Sequence, residues 1–212
     1  QHPCFLNAVL PQLTAEGIHL VRPEEMSGEQ EQFLEEFFER TLYPVVTPSA
    51  IDPGHPFPYL ANRSLFLVVS LRATTASPLP HTELSIVHIP GQVVPRFIQL
   101  PVRESQYAFI LLEHVLRHYL PRFYHGFEIL SAHPVRVTRD GEFSLVRRRE
   151  EDLLMTIEQG IRERRMGAAV RLQYDPDLPR ELLTQLVEEL ELTSDDLYPG
   201  TGFTAFTDLF QL

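Results

Sequence analysis

His114 and His118 stand four positions apart, the spacing at which two imidazoles on one helix face can share a metal ion. No glutamate follows His114 in the HExxH manner, Cys4 is the single thiol, and no third ligand is identifiable. A catalytic zinc site takes three protein ligands, so the pair reads as helix-surface histidines. His55 lies three residues from Asp52 within "DPGHPFP", where a carboxylate could orient an imidazole. A proline-fixed Asx-type turn satisfies both side chains through backbone groups and is the preferred reading. Arg147, Arg148 and Arg149 precede one helical stretch, Arg162, Arg164 and Arg165 close it, and Arg171 follows. Guanidinium forks suit phosphate. Acids at the start and arginines at the end of one helix also complement its macrodipole, and that reading is preferred, with a phosphate or partner contact as the alternative.

All 18 basic residues are Arg. Without Lys there is no P-loop lysine and no Schiff base. No nucleophile has a visible base and no glycine-rich loop follows a strand. The net charge of -11, from 29 acidic against 18 basic side chains, disfavours a nucleic-acid surface, which rests on basic stripes. The 212 residues, 43% hydrophobic and 22% charged, are ordinary globular composition. A single cysteine excludes an internal disulfide framework and suits a reducing compartment. No run approaches the roughly 20 apolar residues of a membrane span. Gln1 at the start and the apolar "TDLFQL" at the end read as the borders of a segment of something longer.

The elements that position these residues follow from pattern. "FLNAVLPQLTAEG" carries Phe5, Leu6, Val9, Leu10 and Leu13 at helical spacing, with Gly17 placed to end it, and "IHLV" is a short strand. Ser27 and Gln30 form a capping box before a helix with Phe33, Leu34, Phe37 and Phe38 on one wide face. That helix ends near Tyr43, because Pro44 disfavours helical geometry in the residue before it. Strands are expected at 65–72, 84–89 and 96–102, with a polar, mobile loop at 73–82. "YAFILLEHVLRHYLPRFY" begins as a strand and continues as a helix to about Leu120. "FEILSAHPVRVTRDGEFSLV" is strand, turn at Asp140-Gly141, strand. A helix at "EEDLLMTIEQGIRERRMG", a strand at "AAVRLQY", an amphipathic helix at "PRELLTQLVEELEL" and a turn capped by Thr193 complete the chain. This order favours α+β over a βαβ repeat: an antiparallel or mixed sheet packed with helices on one side.

"LYPVVTPSAIDPGHPFPYLANRSLFLVV" resembles the polyphosphate kinase run of Tyr/Phe-Pro-Val-x-Thr-Pro, Asp-Pro-x-His-Pro-Phe-Pro and Asn-x-Ser-Leu. The likeness continues through "VPRFIQLP", "FILLEHVL", "VRVTRDGEF", "EEDLLMTIEQGIRERRMGAAVRLQYD" and "LTSDDLYPG", covering essentially the whole chain. The resemblance implies that residues 1–212 are a single middle (head) domain. It implies a parent that also has an N-terminal nucleotide-side domain and two C-terminal phospholipase D-like catalytic domains, which bear the phosphorylated histidine and the ATP pocket. For that parent it implies reversible transfer of the ATP terminal phosphate to inorganic polyphosphate, a divalent metal such as Mg, a homodimer, and a cytoplasmic location open to peripheral membrane attachment. No catalytic, cofactor-binding or metal residue of the family carries over, so the chain alone is expected to be inactive. Its implied role is to position the catalytic domains and support dimer assembly. A free-standing interaction domain and a phosphate-chain binding module using the arginines are the alternatives. Pro53, His55, Pro56, Phe57, Pro58, Tyr59 and Asn62 read as a structural arm, since prolines fix the backbone and remove donors. Phe57 and Tyr59 are its expected anchors.

Overall fold

In the computed structural model, which describes residues 5–51, 57–74, 82–102, 106–140 and 167–200, the first apolar stretch is a π-helical turn, Phe5–Val9, running into α1 (Leu10–Ala15). Gly17, at φ 83°, turns the chain into β1 (Ile18–Leu20). α2 (Gly28–Phe37) begins with the expected capping box: the Gln30 N–H donates to Ser27 Oγ, and the Ser27 N–H donates to Gln30 Oε1. A π-helical turn, Phe38–Leu42, carries it up to Pro44. The chain continues as β2 (Pro48–Ile51), β3 (Leu65–Ala73), β4 (Thr82–His88), β5 (Phe97–Leu100), β6 (Tyr107–Leu111), α3 (Leu112–Tyr119), β7 (Phe127–Arg139), β8 (Ala169–Tyr174), α4 (Arg180–Glu189) and β9 (Leu197–Pro199).

Among the described residues, six strands pair in the order β2-β4-β3-β7-β8-β9 and three in the order β1-β6-β5. β1 with β6 and β8 with β9 are parallel; the other neighbours are antiparallel. The mixed sheets and the α+β class are as the pattern implied. The helices, however, lie on both faces of the larger sheet, not on one side. β3 buries apolar side chains on both faces: Leu67, Val69 and Leu71 join one buried cluster, and Phe66 and Val68 join another. A strand apolar on both faces needs cover on both. The first cluster takes Leu34 of α2, Phe38 and Leu42 of the π turn, Leu112, Val115 and Leu116 of α3, and the small sheet's Ile98 and Ile110. The second takes Leu182 and Leu186 of α4 against Val135, Val137 and Leu172. Each such fully buried side chain contributes about 1.5–3 kcal/mol.

β2 and β9 are strands that pattern alone did not separate from loop. Both sit at sheet edges, and Pro48 opens β2, where a missing donor costs the ladder nothing. The expected mobile loop falls largely at 75–81, and the strand after Asp140 and the helix that follows it fall within 141–166; both lie outside the described residues. Among the described residues, no helix is long and apolar enough to cross a membrane.

Candidate functional site

Where the proline-rich arm rejoins the sheet, its described residues are Phe57 to Asn62. Leu60 is the anchor, with 0% of its surface exposed. Phe57 packs half-buried against the second cluster. Tyr59, expected to anchor, is instead 43% exposed, with the Arg139 guanidinium 4.5 Å above its ring. Asn62 Oδ1 accepts the Arg139 backbone N–H at 2.9 Å. Pro53, His55 and Pro56 lie outside the described residues, as do Asp52 and all six arginines at 147–149, 162, 164 and 165.

The two histidines on α3 differ in surroundings. His114 is half-buried, its Nδ1 finds no hydrogen-bond partner among the described residues, and burial pushes its pKa below the ordinary histidine value against the opposing charge of Glu113. His118 is exposed, its ring edge-on to Tyr119 at 4.8 Å. Among the described residues no group of three or more His, Cys, Asp or Glu side chains could hold a metal ion.

The fold brings together polar pairs that sequence reasoning missed. Arg96 and Glu113, only 6% and 5% exposed, form a bidentate ion pair, Nη2 to Oε1 at 2.5 Å and Nε to Oε2 at 3.2 Å. His133 of β7 and Asp175 just after β8 are mostly buried, with Nδ1 and Oδ2 3.5 Å apart, an ion-pair separation and not a hydrogen bond. The β7–β8 register, Val135 opposite Tyr174, brings them together across the sequence. Beside α4 lies a groove of about 380 Å³ lined by Ser70, Leu84, Leu130, Ser131, Glu181 and Gln185 among others. It opens where the β3–β7 register shifts, leaving Leu130 between Ser131 and Ile129. Its donor set is hydroxyls, an amide and one carboxylate on apolar walls. Those groups suit neither a nucleotide triphosphate, which needs cations, nor its divalent metal, which needs clustered oxygen ligands.

Two sheets that share helical cover, with Arg96 and Glu113 joining the entry of β5 to α3, define an α+β domain. A family model described as the polyphosphate kinase middle domain matches residues 29–212, and the chain belongs to that family. It is 34% identical over 213 residues to a polyphosphate kinase of Halalkalibacterium halodurans and 36% identical over 214 residues to one of Bacillus cereus. Each match covers 100% of this chain and 30% of the relative, so the chain spans under a third of their length. The crystal structure of polyphosphate kinase from Porphyromonas gingivalis superposes with a TM-score of 0.79 at 20% identity, over 99% of this chain and 29% of that one, a likeness of fold.

Proposed function

We propose that this chain is the non-catalytic middle domain of a polyphosphate kinase, a parent that reversibly transfers the terminal phosphate of ATP to inorganic polyphosphate. In this reading the domain is a rigid spacer that positions the catalytic domains and supports assembly of the dimer. ATP and its divalent metal are held by parts of the parent beyond these residues. The observation that carries the reading is the proportion of the match: end to end on this chain, yet 30% of relatives that are themselves polyphosphate kinases. The rigidity it requires is supported by helices clamped onto both faces of the larger sheet.

The test is turnover of ATP and polyphosphate by the purified chain beside its full-length parent. The parent is expected to form polymer, and the chain alone to give no product above a contaminant control. Product made by the chain alone would move the chemistry into these residues and overturn the reading.

A further inference from the structure

We propose that Arg139 is a positioning residue that couples the exit of the proline-rich arm to Asp140 and Gly167, the residues that bracket 141–166. This inference stands on geometry alone and does not depend on the enzymatic reading. β7 is paired with β3 only as far as Leu65 opposite Arg136, and its pairing with β8 shifts register between Thr138 and Arg139. Beyond the β3 ladder, one side-chain bond and one backbone bond take over. Arg136 Nε donates to the Arg63 carbonyl at 3.1 Å, and the Arg63 N–H, at a left-handed φ of 61°, donates to the Val137 carbonyl at 2.8 Å.

Arg139 then reaches in two directions. Its Nε donates to the Leu60 carbonyl at 2.7 Å, in the arm, and its Nη1 donates to the Gly167 carbonyl at 2.9 Å, on the far side of 141–166. Its flat face lies over Tyr59, and its own backbone N–H is taken by Asn62. Only a guanidinium combines diverging planar donors with a face that stacks on an aromatic ring; an ammonium is a point charge that does neither at once. Gly167 is held equally tightly from the other side: a Cβ there would stand 2.0 Å from the Asp140 carbonyl oxygen, closer than two non-bonded atoms can approach. The Asp140 N–H, donating to the Ala168 carbonyl at 2.9 Å, closes the junction. Because one side chain bonds the arm and the bracket, displacing either one strains the other.

Amide hydrogen exchange on the chain tests this with Arg139→Lys, which keeps the charge and loses the fork, and with Gly167→Ala, which perturbs the bracket. Both are expected to speed exchange at the Arg63 and Asp140 amides together, by roughly ten- to hundredfold, the range that loss of one charge-assisted hydrogen bond permits. Amides in the centre of β3 should stay at wild-type rates. Tyr59→Ala, at an exposed position that tolerates change, provides the reverse perturbation should Gly167→Ala fail to fold, and should speed exchange at Asp140. The proposal is overturned if Arg139→Lys exchanges like wild type, or if Gly167→Ala or Tyr59→Ala loosens only its own side of the junction.

Discussion

Tyr124 donates to Ser85 Oγ at 2.8 Å, and Ser85, with 0% of its surface exposed, donates to the Ser49 carbonyl at 3.0 Å. This relay fastens the edge strand β2 to β4 and to the turn after α3. Tyr124→Phe removes one donor and should cost about 0.5–1.5 kcal/mol, whereas Ser85→Ala strands both partners and should cost about 1–3 kcal/mol. Burial pushes the Tyr124 hydroxyl up to about 12, with the Ser85 bond pulling the other way. Burial, with the nearby Glu35 carboxylate second in weight, pushes Tyr119 up to about 12 as well. In the unfolded chain a tyrosine titrates near pH ~10. The native state therefore keeps protons that the unfolded state releases, and this stability, whole below about pH 10, is lost as pH rises toward about 12. Urea unfolding across that window should show a falling midpoint in the wild type and a shallower fall in Tyr124→Phe. Equal slopes would mean that Tyr124 does not carry the effect.

At the scale of elements, Arg96 and Glu113 join the entry of β5 to the first turn of α3, where the Leu112 N–H also donates to the Arg96 carbonyl at 2.8 Å. Glu113→Ala leaves a buried guanidinium without its bidentate partner and should cost about 3–5 kcal/mol. Arg96→Met with Glu113→Leu should recover most of that loss in thermal unfolding, because it removes the desolvated charge together with its partner. A double variant as unstable as the single one would show that the pair itself supplies net stability. Much of this layer was legible: the Ser27 cap, the stop before Pro44 and the switch from β6 to α3 all follow from local chemistry acting within a few residues. The ion pair was not, since its partners are 17 positions apart and each resembles an ordinary surface charge until the helix is packed on the sheet. His133 and Asp175 escaped for the same reason, being neighbours only through the β7–β8 register.

At the scale of the whole molecule, β3 could have revealed the two-sided cover in advance, because Phe66, Leu67, Val68 and Val69 never alternate with polar residues. The arm was readable as rigid from its prolines, but not its fastening, which depends on Arg139 arriving from a strand far along the chain. No local pattern could assign the arginines near 147–149 and 162–165 to phosphate or to a helix end, since guanidinium chemistry serves both. That choice bears on the proposed role, in which the domain holds the catalytic parts of a polyphosphate kinase in place and stands outside the substrate path. The most direct measurement is titration of the purified chain with inorganic polyphosphate at low and at physiological ionic strength. A phosphate-binding surface must lose affinity steeply with salt, because each neutralised phosphate releases counterions. No salt-dependent affinity is expected at either condition, in keeping with a net charge of -11. Clear binding that weakens with salt, and is abolished by charge reversal at Arg148 and Arg164, would contradict it and place the domain on the path of the polymer.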